Sequence, residues 1–159
     1  MMLLRPISHR DDTAVASLIR TSLEEFGLDK PGTAYFDPQL DHLTDYYAKK
    51  SRSAYFVIEA HGDIVACAGY GFVSEKIAEL QKLYVAKSQR GKGYSTYLLR
   101  EIFQSAKADN YNQLYLETAG ELAGAVSVYE HFGFEHLMHP LANEEGHVAM
   151  DIWMLKNLD

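Results

Sequence analysis

Residues 87–103 read KSQRGKGYSTYLLREIF, with Gly91 and Gly93 set among Lys87, Arg90 and Lys92 and an amphipathic pattern directly behind them. Tyr94, Leu98 and Ile102 recur every four residues, with Leu99, Phe103 and Ala106 alongside, which is the spacing of one buried helical stripe. The stretch therefore predicts a glycine turn opening a helix that stops at ADN, residues 108–110. Two runs of β-formers flank it, IAELQKLYVA (77–86) and NQLYLET (112–118). Strand, turn, helix and strand in that order make a parallel crossover.

Working outward, SAYFVIEA (53–60) and IVACAGYGFV (64–73) are separated by HGD, the pattern of an antiparallel hairpin that continues into the strand at 77–86 as a meander. At the N-terminal end LLRPI (3–7) reads as a strand, and DDTAVASLIRTSLEEF (11–26) as a helix with Val15, Leu18, Ile19 and Leu23 on one stripe. Pro31, Pro38, Gly27 and Gly32 break the next segment into turns before a helix around Leu40 to Lys49. Downstream, ELAGAVSVYEHF (121–132) is a helix, GFEHLM (133–138) a strand and HVAMDIWML (147–155) a long closing strand. The order β-α-(α)-β-β-β-α-β-α-β-β predicts an α/β (α+β) fold, a mixed sheet with helices on both faces. Residues 1–159 are expected to form a single domain.

A net charge of −7 gives the molecule no overall pull toward nucleic acid or anionic lipid. No apolar run approaches a membrane span or a signal peptide, so a cytoplasmic protein is expected. Cys67, the one cysteine, sits within an apolar run and reads as a small buried hydrophobe, with a catalytic thiol as the rival reading. His131, His136 and His139 lack the spacing of a metal site, and no metal is expected.

A glycine turn at a helix start offers unpaired N–H groups beside the positive end of the helix dipole, a seat for phosphate, with Arg90 and Lys92 adding charge. The same glycines would also serve a sharp turn with solvated cations. Walker-type and dinucleotide loops do not fit, because Lys92 is followed by Gly93 and Thr96 stands where a third glycine is needed.

QRGKGYSTYLL (89–99) resembles the acyl-CoA-binding motif of the GNAT superfamily of N-acetyltransferases: Arg or Gln, two residues, Gly, one residue, then Gly or Ala. Arg90 and Gly93 match, while Ser95 replaces the final small residue. LYVAKSQRGKG (83–93) is similar to the family's central strand and loop, and VYEHFGF (128–134) to its C-terminal helix and strand, so the resemblance spans nearly the whole chain. It implies a mostly antiparallel sheet with splayed central strands and acetyl-CoA (coenzyme A) as cosubstrate. The diphosphate would lie on amides from Gln89, Arg90, Gly91 and Lys92 to Gly93, Tyr94 and Ser95. The pantetheine arm would pair with the backbone of Leu83, Tyr84 and Val85, where parted strands leave N–H and C=O groups needing partners.

By the same resemblance Glu79 is the candidate general base and Tyr129 the candidate acid that protonates the departing thiol. Read from the residues alone, Glu79 is equally an exposed strand carboxylate paired with Lys82 or Lys76, and Tyr129 a core residue sharing a helical face with Val126. Leu122 stands where the family often has Asn, seven residues before the tyrosine. Tyr35, Phe36, Tyr46 and Tyr47 fall where the superfamily walls its acceptor pocket and would stack on an acceptor there, with an ordinary aromatic core as the rival reading. The resemblance implies an acyltransferase that moves an acetyl group from acetyl-CoA to a primary amine of a small molecule by direct transfer in a ternary complex. A protein or peptide acceptor, or a non-catalytic acyl-CoA-binding module, are the alternatives. Strand edges and exposed tyrosines permit a homodimer without requiring one.

Overall fold

Alternating apolar residues over 54–85 build the centre of the molecule. In the computed structural model, which describes residues 1–142 and 147–159, β2 (Ala54–Ala60), β3 (Asp63–Ser74) and β4 (Ile77–Val85) pair antiparallel in succession. His61 and Gly62 make the β2–β3 turn at φ +56° and +83°, the twist that a two-residue hairpin loop requires. Around this meander lie β1 (Met2–Pro6), α1 (Asp12–Glu25), α2 (Leu43–Ala48), α3 (Tyr94–Ala108), β5 (Gln113–Thr118), α4 (Ala123–His131), β6 (Glu135–Leu137) and β7 (Ile152–Asn157). The strands form one seven-stranded sheet in the order β1-β2-β3-β4-β5-β7-β6. Every neighbour pair is antiparallel except β4–β5, where the α3 crossover forces parallel pairing. The element order and the α/β class are those predicted from the sequence.

Each face of the sheet carries its own core. α3 buries Leu98, Leu99, Ile102 and Ala106 against Phe56, Ile58, Ala68 and Leu114, and α4 adds Tyr129 to that side. On the other face α1 buries Val15, Ile19 and Leu23 with Val57, Cys67 and Leu40. Cys67 is fully buried, and burial pushes its thiol up to about 12, as suits a packing residue. Among the described residues no helix is long and apolar enough to cross a membrane.

The closing strand is shorter than expected, starting at Ile152 rather than His147. The Ala149 amide donates to the Gly32 carbonyl at 3.0 Å, and His147 bonds Asp37, so these residues lie against the early loop instead of joining the sheet. The strand at 133–138 is likewise reduced to Glu135–Leu137, paired with Trp153–Leu155.

The β1–α1 connection is held by charge. Arg5 grips Asp11 with two hydrogen bonds of 2.7 and 2.9 Å and reaches Glu59 at 2.9 Å, while the Ser8 amide also donates to Asp11. The Arg5 hydrogen bond, helped by Ser8, overcomes burial and holds the Asp11 carboxyl down at about 2. A carboxyl depressed from its unfolded value of ~3.9 stabilises the fold fully above that pH and ceases to do so as pH falls through about 2, a contribution of about 2 kcal/mol. Urea unfolding followed from pH 5 to pH 2 should show that loss, and Asp11→Ala should flatten it.

The feature that creates the site is a bulge in β4. Gly69 faces Gln81 but Cys67 faces Tyr84, so β4 carries one residue more than β3 over this span. Lys82 sits in the bulge at φ +51°, a left-handed conformation unusual for lysine. Its carbonyl is pinned by the Tyr55 hydroxyl at 2.7 Å and by the Cys67 thiol at 3.8 Å. A bulge bends its strand, and β4 accordingly leaves β5: the two pair only from Ile77–Gln113 to Glu79–Tyr115.

Candidate active site

Beyond Glu79 and Tyr115 the parted strands enclose a cleft of about 400 Å³. One wall is Leu80 and Lys82–Val85 of β4, the other Leu116–Thr118 of β5, and α4 closes the far side with Gly124, Ala125, Val128 and Tyr129. Past Glu79 the β4–β5 register ends, and Tyr84 and Val85 pair with Cys67 and Ala66 of β3. Leu83, Tyr84 and Val85 line the cleft, where a ligand able to hydrogen-bond like a strand could take the place that β5 has left.

The α3 tip forms one end of this cleft. Gly91 and Gly93 adopt φ +80° and +82°, and Gly93 caps the helix without any side-chain hydrogen bond. A Cβ built on either glycine would meet nothing within 4 Å, so left-handed backbone, rather than crowding, demands glycine here. The first-turn N–H groups lie at the positive end of a 15-residue helix with no side-chain cap. Gln89, Arg90, Gly91, Gly93, Tyr94 and Ser95 all line the cleft, together with Leu83, Tyr84 and Val85. These groups fit a diphosphate followed by an amide-bearing arm.

The two cations of the loop are not free charges. Arg90 is clamped to Glu25 at the end of α1 by hydrogen bonds of 2.6 and 3.0 Å, donates to the Val85 carbonyl at 3.2 Å and lies over the Phe26 ring. Its hydrogen bond holds the Glu25 carboxyl below the usual range. Lys92 donates to Gln89 at 3.0 Å. Arg90 therefore ties the loop to α1, a role the local sequence gives no sign of because its partner lies 65 positions away.

Tyr129 is 6% exposed and borders the cleft. Burial alone pushes its phenol above the ordinary value, and its hydroxyl has no hydrogen-bond partner among the described residues. A buried hydroxyl open toward a cleft can donate a proton to whatever enters. Leu122, in the position noted for Asn, also lines the cleft and offers only apolar contact.

Glu79 lies across Leu80 from that cleft. It is 4% exposed, not the exposed strand acid that one reading allowed, and Gln81 donates to its Oε1 at 3.1 Å. It borders a cavity of about 50 Å³ shared with Leu80, Gln81, Lys82, Glu117 and His147, and a second of about 370 Å³ walled by Tyr46, Tyr47, Lys49, Lys50 and Phe72. Tyr46 and Tyr47 thus fall on this side, whereas Tyr35 donates to Glu24 and Phe36 is exposed. Leu80, Lys82 and Glu117 border both the small cavity and the cleft, making the gap between β4 and β5 a passage from one face of the sheet to the other. Glu117 was not anticipated, although alternation in LYLET puts it on one face with Tyr115, whose hydroxyl donates to it at 2.7 Å.

The irregular segment after α1 closes over this side. Asp37 accepts from the Lys82 ammonium at 2.9 Å and from His147 at 3.0 Å, and Ala34 lines the small cavity. Burial would raise the Asp37 carboxyl, but the His147 hydrogen bond and the Lys82 charge outweigh it and hold the group below its usual value. Of the three clustered histidines, His136 pairs with Glu130 and His131 packs on Phe132. Among the described residues no group of three metal-binding side chains is assembled.

The sequence profile of the acetyltransferase (GNAT) family matches residues 17–134. The chain is 36% identical over 160 residues to the uncharacterized N-acetyltransferase YjgM of Escherichia coli (strain K12), covering 98% of this chain and 94% of that one. Its fold is similar to a GNAT-family acetyltransferase from Staphylococcus aureus Mu50, with a TM-score of 0.86 at 17% identity and full coverage of both chains. It is also similar to PaiA N-acetyltransferase from Thermoplasma acidophilum, solved in complex with coenzyme A, with a TM-score of 0.78 at 16% identity over 99% of each chain.

Proposed function

Because the chain belongs to the acetyltransferase (GNAT) family and is thereby an acetyl-CoA-dependent N-acetyltransferase, we propose that it acetylates a primary amine of a small molecule by direct transfer in a ternary complex. The observation that carries this reading is the passage between β4 and β5, with an amide-lined helix tip on one side and a carboxylate-lined cavity on the other.

In this reading the amides from Arg90 to Ser95 hold the diphosphate, and the backbone of Leu83, Tyr84 and Val85 pairs with the pantetheine arm, with Gln89 to Gly93 shaping the loop. Acetyl-CoA supplies the activated acyl group. Glu79 accepts the proton of the attacking amine, directly or through one water, as the new C–N bond forms. Tyr129 gives its proton to the sulfur as the C–S bond breaks, and solvent restores both groups. Positioning both substrates at one gap supplies much of the rate. Direct transfer is favoured because the chain's one thiol, Cys67, is fully buried and thus unavailable to carry the acyl group.

A small acceptor is favoured because the Asp37–Lys82 pair ties the 27–40 segment over the acceptor side, where the cavities beside Glu79 measure about 50 and about 370 Å³. Glu79 and Glu117 beside the smaller cavity favour an amine that arrives as a cation and gives its first proton to solvent before it attacks. The test is release of free coenzyme A with a panel of small amines, amino acids and lysine-containing peptides, with both substrates varied. Turnover of small amines with intersecting initial-rate lines is expected. Turnover of peptides alone would contradict the acceptor class, and acetyl-CoA binding without turnover of any amine would leave a binding module.

A further inference from the structure

We infer that Tyr47 and Gln81 are positioning residues that aim the Glu79 carboxylate at the acceptor amine. The inference rests on the reading of Glu79 as general base given above. Gln81 follows Glu79 by two residues, so alternation along β4 brings both side chains to the same face. The Gln81 amide donates through Nε2 to Glu79 Oε1 at 3.1 Å, and its Oε1 accepts from the Tyr47 hydroxyl of α2 at 2.6 Å.

The direction of this chain is fixed by chemistry. A general base must rest as a carboxylate, which can only accept, so under that reading the –NH2 end of Gln81 faces Glu79 and the carbonyl end is left for a donor. Tyr47 is that donor, and it is itself held rigidly. It is 5% exposed, and its ring meets Tyr46 edge-to-face and Tyr55 at a tilt, with centroid distances of 5.1 and 5.0 Å. Tyr55 is in turn fixed by its bond to the Lys82 carbonyl in the bulge. The neighbouring strand leaves room for the amide: Gly71 faces Glu79 across β3–β4, and a Cβ there would come within 3.1 Å of both Gln81 amide heteroatoms. A base supported this way meets its substrate in one orientation, which loose side chains cannot guarantee.

The chain also links the larger acceptor-side cavity to the reaction. Tyr47, Gln81 and Glu79 are successive parts of its wall, so an acceptor filling that cavity touches the relay along its length.

The experiment compares Tyr47→Phe, Gln81→Met and Glu79→Gln, singly and combined, using the best amine from the panel and a melting curve for each protein. Tyr47→Phe and Gln81→Met should each lower kcat about 10-fold with KM for acetyl-CoA within about 2-fold of wild type. In the Glu79→Gln background the same changes should cost nothing further, because the group they aim is gone. Full additivity in the double variants, or wild-type kcat in both single variants while Glu79→Gln is impaired, would overturn the relay and leave Glu79 as base. Wild-type kcat in Glu79→Gln, with loss in Glu117→Gln, would overturn the base assignment itself and the relay with it.

Discussion

Tyr129→Phe should lower kcat on the order of 100-fold while leaving the affinity for acetyl-CoA within about 2-fold. The change removes one oxygen from a side chain that packs with Phe134 at 5.6 Å between ring centroids and makes no protein hydrogen bond among the described residues. Folding therefore has no use for that hydroxyl, and burying phenylalanine in its place is neutral or stabilising. If the melting temperature holds while turnover collapses, the hydroxyl acts in the reaction. Pre-steady-state mixing with a chromogenic thiol reagent would show whether the lost rate lies in release of coenzyme A. Unchanged kcat would return Tyr129 to the core.

Asp37→Ala should destabilise the protein by about 2 kcal/mol, the worth of a charge-assisted hydrogen bond, measured by urea unfolding at pH 7. The Lys82 side chain is 1% exposed, and Asp37 is its ion-pair partner at 2.9 Å. Removing the carboxylate takes an ion-pair partner at 2.9 Å from a buried cation, and Asp37→Ala combined with Lys82→Met should recover part of the loss. The pH dependence has a definite sign. Asp37 lies below its usual value in the fold, so its contribution is present above ~3.9 and is lost as pH falls through the folded value. Because the same pair pins the 27–40 segment across the acceptor side, the variant should also raise KM for the amine more than KM for acetyl-CoA.

The sequence carried the architecture because the β-runs, the helical stripes and the glycine turn all report local preferences. The helix-opening loop could be read at Gly91 and Gly93 since only left-handed backbone explains two glycines there. The bulge could not: Lys82 gives no hint of positive φ, and its conformation is imposed by Tyr55 and Cys67 from neighbouring strands. The Arg90–Glu25 clamp, the Asp37–Lys82 pair and the Tyr47–Gln81 bond are hidden from the sequence for the same reason, each joining residues far apart in it. His147 misled in the opposite direction, since an apolar run after it suggested strand while its ring was committed to Asp37.

A crystal structure of the protein with coenzyme A tests the central claim most directly. The diphosphate should lie within about 3 Å of the backbone amides at residues 91–95, the pantetheine arm should run along Leu83–Val85, and the sulfur should lie within hydrogen-bonding reach of the Tyr129 hydroxyl. A diphosphate bound elsewhere, with those amides facing solvent and the β4–β5 gap empty, would contradict the account.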